Sequence, residues 1–276
     1  MFCLNFCELV PPNSNLVDVF NDAISNLCNP NITDQPARLY FGSSFCQNYF
    51  MSIDYWRLAE SFCKENVLPI TLTVPIFSEK MLDDGKHRIN SILQQNSQID
   101  EITINDLGMF LFVSQNFPEK KINLGRLFFK HSRDIRVDRF FYDNYEPEYI
   151  IDEYSDFDVF GIELDPTHKH LNLNCLKNKK YNVGMHFPFC YMSTGNICKY
   201  ASINLDVKHK FRPNMPCSVN CMHIAEHHYS EDNKDKSVYR FGRTLYFLNR
   251  DIDSLDLCDR IIYFPIYELN LHGEKL

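Results

Sequence analysis

Short apolar runs rich in β-branched residues alternate with amphipathic helical patterns over most of this chain. Pairs of this kind, a strand followed by a helix, occupy 1–10 and 15–28, 37–43 and 52–66, 67–77 and 78–95, and 99–108 and 108–117. Because parallel strands must be joined by a crossover that is usually a helix, the alternation predicts a parallel α/β fold. About eight strands in a chain of 276 residues predict one closed (β/α)8 barrel of the TIM type, irregular or incomplete in places.

The strand and helix pattern loosens in two segments. Residues 130–156 are charged and tyrosine-rich, and they predict a long excursion or lid over the barrel mouth. The segment 198–236 combines cysteine, proline and histidine with little periodicity, so we interpret it as a metal-binding loop region. Further strands are predicted at 120–129, 157–165, 181–193, 237–249 and 260–269. No repeat or linker divides the chain, so we expect one domain over 1–276.

Charge and composition narrow the classes of partner. The formal net charge is −8, which disfavours a nucleic-acid partner except at a local basic face such as 126–139. No apolar run reaches the roughly 20 residues that a membrane-spanning helix needs. The cysteines number eleven, an odd count, and no leader pattern precedes them, so we expect reduced thiols in the cytoplasm.

Cysteines form the most informative chemical pattern. Cys198, Cys217 and Cys221 lie in one stretch, and Cys46 lies far upstream. Thiolates select zinc, copper(I) or iron–sulfur clusters over magnesium or calcium. Zinc sites commonly close with Cys-x-x-Cys turns, whereas Cys217 and Cys221 are separated by one residue more, which favours an iron–sulfur cluster.

A zinc site is the alternative interpretation of the same segment. His223 and His227 follow Cys221 at a spacing of four, which would place both imidazoles on one face of a helix. A mixed cysteine and histidine zinc site is therefore the main rival to the cluster. A solvent-exposed polar segment is the simplest interpretation of these histidines.

The fourth cysteine ligand is open to more than one assignment. Cys46 is our first choice, and Cys7, Cys175 and Cys190 are the alternatives because they lie near strand ends or in the same half of the chain. The remaining cysteines, which lie in apolar patterns or beside charged residues, are expected to pack rather than bind: Cys3, Cys28, Cys63 and Cys258.

Polar residues gather at the predicted strand ends, where the active sites of such barrels are built. They are Asp106, Arg126, Glu163, Asp165 and His186. An arginine can hold an anionic substrate with a two-pronged hydrogen bond, and a histidine can exchange protons near neutral pH. We therefore expect a small-molecule pocket with Asp106, Arg126, Glu163 and His186 as catalytic candidates. The alternative is an internal salt bridge that ties the barrel together.

Four segments carry a family resemblance in the same order: 101–130, 161–165, 183–202 and 217–221. They resemble peptidase family U32, the collagenase-like proteins, over most of the chain. The run from Tyr40 through Gly42 to Cys46 is similar to the Tyr-x-Gly-x-x-x-Cys motif of members involved in oxygen-independent ubiquinone hydroxylation. The resemblance implies a single U32-type barrel and a 4Fe–4S cluster on the site's four cysteines, Cys46, Cys198, Cys217 and Cys221.

Function follows less directly from this resemblance. It implies an enzyme for anaerobic, oxygen-independent hydroxylation or redox modification of a small aromatic or nucleobase substrate, with a related U32-type partner subunit. One alternative is a non-catalytic binding or assembly module in which iron–sulfur or zinc is structural. A divergent peptidase is the other, although the sequence contains no serine-hydrolase elbow or metalloprotease helix.

Overall fold

The structure is a computed structural model that describes residues 1–8, 15–25, 35–129, 154, 156–165, 181–222, 225–230, 233–248 and 258–265. The strands in these ranges are β1 (Phe2–Asn5), β2 (Arg38–Gly42), β3 (Ile70–Val74), β4 (Ile99–Ile104), β5 (Lys121–Leu124), β6 (Val159–Leu164), β7 (Asn182–Phe187), β8 (Phe189–Thr194), β9 (Ala225–Ser230), β10 (Asn233–Phe241), β11 (Thr244–Leu248) and β12 (Arg260–Tyr263). Strands β1 to β7 and β12 form a closed barrel in which every described pairing is parallel.

Helices follow each of the first four barrel strands. They are α1 (Leu16–Ser25), α2 (Gln47–Ser52), α3 (Trp56–Glu65), α4 (Leu82–Gln95) and α5 (Leu107–Asn116). This arrangement confirms the predicted α/β fold, a TIM-like (β/α)8 barrel. Most of the connections after β5 and β6, including nearly all of the predicted lid at 130–156, lie outside the described residues.

The strands alternate between an outer apolar face and an inner polar face. In β3, Ile70, Leu72 and Val74 belong to the main apolar core together with residues of the helices. Between them, Thr71 and Thr73 are also buried, and the Thr71 hydroxyl accepts a hydrogen bond from Arg38 of β2. Successive side chains of a strand point to opposite sides, so the apolar core lies between barrel and helices and the polar side chains fill the barrel.

Side chains from non-adjacent strands meet inside the barrel. Arg260 of β12 donates to Glu101 of β4 at 2.7 Å and to the Tyr40 hydroxyl of β2 at 3.0 Å. The Glu101 carboxylate also lies 3.2 Å from the guanidinium of Arg38. All four side chains are buried, and each charge has a partner of opposite sign. A buried charge is tolerated in a protein interior when it is paired and hydrogen-bonded in this way.

A second, antiparallel sheet is inserted between the last two barrel strands, in the order β8, β11, β10 and β9. The predicted strand 181–193 is two strands, because Pro188 has no N–H for the ladder and separates β7 from β8. The predicted strand 237–249 is also two, β10 and β11, joined by a tight turn at Gly242. Strand β9 and the first residues of β10 lie within 198–236, so that region is a loop only in its first part.

No helix among the described ranges is long and apolar enough to cross a membrane.

Gly42 at the end of β2 is a point where only glycine fits. Its φ is +114°, and an added Cβ would lie 2.2 Å from the carbonyl oxygen of Thr73. Gly42→Ala should therefore lower the free energy of unfolding by about 3–5 kcal/mol or prevent folding, through steric overlap and backbone strain. Denaturant unfolding followed by circular dichroism measures the change. Gly195→Ala is the control, since the nearest atom to its added Cβ is 4.0 Å away, and equal losses in the two variants would contradict the steric account.

Candidate functional site

The Tyr-x-Gly-x-x-x-Cys segment runs from the inside of the barrel to its mouth. Tyr40 lies within the barrel against Arg260, and Gly42 passes the backbone of β3 closely enough for Ser43 N–H to donate to the Thr73 carbonyl at 2.9 Å. Cys46 comes next as the residue that precedes α2. The motif therefore begins inside the barrel at Tyr40 and ends with Cys46 at the carboxyl ends of the strands.

Glu8 holds this segment in place. One of its carboxylate oxygens accepts hydrogen bonds from the Ser43 hydroxyl at 2.7 Å, from Phe45 N–H at 2.8 Å and from Cys46 N–H at 3.2 Å. Ser43 adds a bond from Cys46 N–H to its own hydroxyl at 2.7 Å. The backbone amide of Cys46 therefore has two acceptors, which fixes the position of its Cα. Sequence reasoning missed Glu8, whose only signal is an acidic residue just after β1.

The loop that carries the three later cysteines is folded back on itself. A single β-bridge pairs Ile197 with Pro213, and Asn214 N–H donates to the Asn196 carbonyl at 2.8 Å. Cys198 follows this bridge directly. The chain then continues to Cys217 on the neighbouring side, so the bridge shortens the distance that separates the two cysteines along the chain.

The Cys217 to Cys221 segment contacts α2. The side-chain amide of Asn48 in α2 donates to the Met215 carbonyl at 2.7 Å and reaches the Cys217 sulfur at 3.5 Å. Between the two cysteines, Val219 is buried and has a φ of +58°, a backbone conformation that branched residues rarely adopt. This local strain is retained where surrounding packing over-determines the conformation, and it is common at ligand sites.

Cys221 lies within electrostatic range of the other three predicted cysteines. Its pKa is raised to about 12, chiefly by burial and also by like-charge repulsion from Cys46, Cys198 and Cys217. Burial also raises the pKa of Cys46 to about 12, and the nearby guanidinium of Arg243 opposes this effect. Without a metal, Cys46 and Cys221 are therefore neutral thiols at pH 7. A metal centre would displace their protons on binding.

The hairpin turn between β10 and β11 closes over this cysteine group. Gly242 has a φ of +58°, and a Cβ added to it would lie 3.4 Å from the Cys221 sulfur. Arg243, the next residue, donates to the Asn196 side chain at 3.4 Å. The second sheet therefore contributes one wall and one positive charge to the cysteine group, neither of which sequence reasoning identified. A glycine within an apolar strand pattern was the available signal.

The distance between thiol sulfurs distinguishes a site for a single metal ion from a site for an iron–sulfur cluster. Within the described ranges, no three His, Cys, Asp or Glu side chains are placed to hold one metal ion. Four thiolates around one zinc at about 2.3 Å would have sulfurs roughly 4 Å apart. A cubane carries its thiolates on four separate iron atoms, so their sulfurs lie farther apart.

Two of the alternative fourth ligands, Cys7 and Cys190, are buried against other groups. Cys7 packs inside the barrel with Cys3 and Tyr40. Cys190 is fully buried, and its thiol faces the Pro188 carbonyl at 3.8 Å. Cys175 and Cys28 are outside the described residues. Cys63 is fully buried on α3, as predicted for a packing residue, whereas Cys258 is partly exposed.

The histidine pair does not have the predicted geometry. His227 lies on strand β9, where His228 is its neighbour, so the interpretation as one face of a helix is wrong for this residue. His223 lies outside the described residues.

Glu163 and His186 meet inside the upper barrel. The Nε2 atom of His186 lies 2.9 Å from one carboxylate oxygen of Glu163, and the Thr103 hydroxyl donates to the other at 2.5 Å. Both charged side chains are buried. Burial raises the pKa of Glu163 to about 7, although the Thr103 hydrogen bond and the positive charges of Arg126 and Arg260 oppose the rise. The pair can therefore hold or release a proton near neutral pH.

Arg126 and Asp165 form a second buried pair at the mouth. The Arg126 guanidinium donates to Asp165 at 3.2 Å and to the Ser44 hydroxyl at 3.3 Å, and it lies 4.8 Å above the Phe45 ring. The Asp165 carboxylate also accepts from Tyr191 N–H of β8 at 3.0 Å. Arg126 is thus part of an internal tie between the barrel, the Cys46 segment and the second sheet.

Asp106 has a different environment from the other predicted catalytic residues. It is the N-cap of α5, and its carboxylate accepts from Met109 N–H at 2.9 Å. Such a cap satisfies a free amide of the first helical turn. Burial raises the pKa of Asp106, and the backbone hydrogen bonds of Met109 and Gly108 oppose this. The structure therefore groups Arg126, Glu163, Asp165 and His186, and it gives Asp106 a helix-capping role.

Comparison with protein-family models, with curated proteins and with solved structures finds no match to this chain. The fold and the site geometry therefore carry the functional argument by themselves.

The pH dependence of the free energy of unfolding should reveal the ionisation of Glu163. A carboxyl whose pKa is raised from 4.5 to about 7 binds its proton more tightly in the folded state. The free energy of unfolding should then fall as pH rises through this window, by about 3 kcal/mol. Glu163→Gln, which cannot ionise, should remove most of that fall, whereas Glu119→Gln, at an exposed position, should not. Urea unfolding from pH 4.5 to 7.5 measures the slopes, and parallel curves for Glu163→Gln and the unsubstituted protein would exclude this carboxyl as the source.

Proposed function

We propose that this protein is a U32-type iron–sulfur protein that carries out oxygen-independent redox modification of a small aromatic or nucleobase substrate. Cys46, Cys198, Cys217 and Cys221 would hold a 4Fe–4S cluster at the barrel mouth. The substrate would lie between this cluster and the buried polar residues of the upper barrel. A related partner subunit of the same family is part of the proposal.

The observation that supports the proposal is that cysteines from separate parts of the chain lie near enough for three of them to influence Cys221 electrostatically. Cys221 senses the charges of the other three thiols, and each of the four is only partly buried. Cys3, Cys7, Cys63 and Cys190, by contrast, are fully buried. Cys258, which is expected to pack, is also partly exposed, so it is nearness to one another together with exposure that distinguishes the four cysteines.

The donor set fits the proposed cofactor. Four thiols are the usual ligands of a 4Fe–4S centre, and soft sulfur donors disfavour magnesium and calcium. Arg243 lies near the Cys46 thiol, and its positive charge would offset part of the negative charge of four thiolates. When bound, such a cluster supplies one-electron chemistry or a site for an oxygen donor.

The buried polar residues would act on the substrate. Glu163 and His186 can hold a proton between them and deliver it near neutral pH. Arg126 would present a fixed positive charge, because Asp165 and Ser44 orient its guanidinium. The Phe45 and Tyr191 rings stack at 4.8 Å beside it and would exclude water from an aromatic ligand.

A non-catalytic module with a structural metal is the second candidate. A metal site remote from any polar pocket would favour it. Here the segment from Ser43 to Cys46 contacts both regions, since Ser44 and Phe45 touch Arg126 and the next residue is a cysteine of the group. This adjacency favours the enzyme. Peptide cleavage by metal-free protein would instead favour a divergent peptidase.

Metal analysis tests the proposal directly. Protein isolated without oxygen should be brown, and it should contain iron and acid-labile sulfide in near-equal amounts. Absorption spectroscopy with iron, sulfide and zinc analysis measures this. Stoichiometric zinc without sulfide, in protein reconstituted with iron and sulfide, would contradict a cluster and support the zinc alternative.

Serine variants should identify the ligands. Cys217→Ser and Cys221→Ser should abolish iron and sulfide binding, because a metal centre that joins distant segments loses affinity steeply when a ligand is removed. Cys63→Ser is the matched control, since Cys63 is a fully buried packing residue, and its iron content should be unchanged.

The fourth ligand is assigned by a second comparison. Cys46→Ser should lose the cluster, whereas Cys190→Ser should retain it. Loss in Cys190→Ser with retention in Cys46→Ser would move the fourth ligand to β8.

A further inference from the structure

An exposed apolar and basic surface lies beside the cysteine group, on residues 197–213, which we call the docking loop. Its two ends are joined by the Ile197–Pro213 bridge. Within the loop, Leu205 N–H donates to the Ser202 carbonyl at 3.1 Å, and His209 N–H donates to the Asp206 carbonyl at 2.8 Å. The loop is therefore an ordered projection with internal turns.

Large apolar side chains project from this loop into solvent. Val207 is 86% exposed, Phe211 59% and Ile203 49%. Side chains of these types are usually buried, and three of them on one short segment form a patch that marks an interaction site. Val207, the most exposed apolar residue of the docking loop, begins a single 3-10 turn at Val207–His209.

Basic residues alternate with these apolar residues. Lys208, His209 and Arg212 are exposed, and Lys210 is half-buried. Asp206 is the only acidic residue in the docking loop, whereas the whole chain has a formal net charge of −8. The loop therefore presents positive charge around an apolar centre on an otherwise acidic protein.

The backbone supports exposure of the aromatic ring. Phe211 has a φ of +58°, and its N–H lies 3.5 Å from the Ser202 hydroxyl. Bulky residues rarely adopt positive φ, and this conformation is retained at functional sites more often than elsewhere. Glycine or asparagine would adopt it with less strain, so a phenylalanine here points to a role for the ring outside the fold.

We propose that the docking loop binds the surface of an anionic lipid bilayer. Val207, Phe211 and Ile203 would enter the headgroup region, and the flanking basic residues would contact lipid phosphates. Basic residues that flank exposed apolar side chains are the pattern of proteins that lie on a membrane without spanning it. The proposal does not depend on the cluster or on the reaction.

Charge and side-chain type favour lipid over other occupants. Phosphate of RNA would satisfy the basic residues, but Val207 and Ile203 cannot stack on bases as aromatic side chains do. The acidic surface of a second copy of this chain would neutralise the basic residues of the docking loop. That copy would also have to cover Val207, which is 86% exposed, with an apolar surface of its own. A bilayer accepts aliphatic and aromatic side chains alike, together with the positive charge beside them.

Vesicle binding tests the proposal. The full-length protein should sediment with vesicles of equal parts phosphatidylcholine and phosphatidylglycerol, and much less with phosphatidylcholine alone. Phe211→Asn removes the ring at a φ that asparagine tolerates, and it should weaken binding about tenfold. The double variant Lys208→Glu, Arg212→Glu should weaken it by at least about tenfold and remove its salt dependence.

Matched controls lie on the outer face of α3. Leu58 is 57% exposed, close to Phe211, and Leu58→Ser should bind vesicles as the unsubstituted protein does. The same holds for the double variant Arg57→Glu, Lys64→Glu, which changes charge at exposed helix positions. Unchanged thermal denaturation of every variant establishes that folding is intact.

Three outcomes would overturn the proposal. The first is no sedimentation with either kind of vesicle at low salt. A second is binding to polyuridylic acid that depends on Lys208 and Arg212, with no vesicle binding, which would assign the loop to nucleic acid. The third is self-association that Phe211→Asn abolishes, again without vesicle binding, which would assign it to a second copy.

Discussion

One ion pair across the barrel interior supports the rest of this structure. Arg260 lies on the last strand to join the barrel, and Glu101 lies on the opposite wall. Their contact at 2.7 Å links the strand that closes the barrel to the strands that begin it. The Glu101 carboxylate also pairs with the guanidinium of Arg38 and accepts a hydrogen bond from the side-chain amide of Asn123, so its oxygens are hydrogen-bonded. Loss of this carboxylate would leave two buried guanidinium groups without their shared partner, which costs more free energy than a missing apolar contact.

Above this pair, further polar side chains occupy two successive levels toward the barrel mouth. The next level contains Glu163, His186 and Thr103, which share hydrogen bonds and hold a proton near neutral pH. The level above contains Arg126 and Asp165, which contact the second sheet through Tyr191 N–H. Side chains that only filled the barrel could all be apolar, whereas here titratable groups occupy successive levels along the barrel axis. The polar filling is compatible with stability because the groups at each level are hydrogen-bonded to one another, and it leaves chemically active groups next to the cysteines.

Local patterns were sufficient to predict the barrel but not the second sheet. The alternation of strand and helix is encoded in short segments, so β1 to β5 and their helices could be predicted, except that the short helix α2 was missed. The polar filling was also readable, since Ile102-Thr103-Ile104-Asn105 and Ile162-Glu163-Leu164-Asp165 alternate apolar and polar residues. The apolar runs around Pro188 and Gly242 were each read as one strand, although proline and glycine mark breaks. Which side chains meet, such as Glu8 with the Cys46 segment, depends on packing between distant segments, and no local pattern encodes it.

The segment from Ser43 to Cys46 joins the two halves of the proposed site physically. Its backbone amides are held by Glu8, its Ser44 hydroxyl and Phe45 ring contact Arg126, and its last residue is a cysteine of the group. If a metal centre binds at the cysteine group as proposed, the loss of a thiol proton at Cys46 would act on a backbone that also contacts Arg126 directly. Because these contacts are direct, no long pathway would be needed for such a coupling. The close passage of Gly42 past Thr73 fixes where the segment starts. The residues from Ser43 to Cys46 therefore contribute both to the position of Arg126 and to the cysteine group.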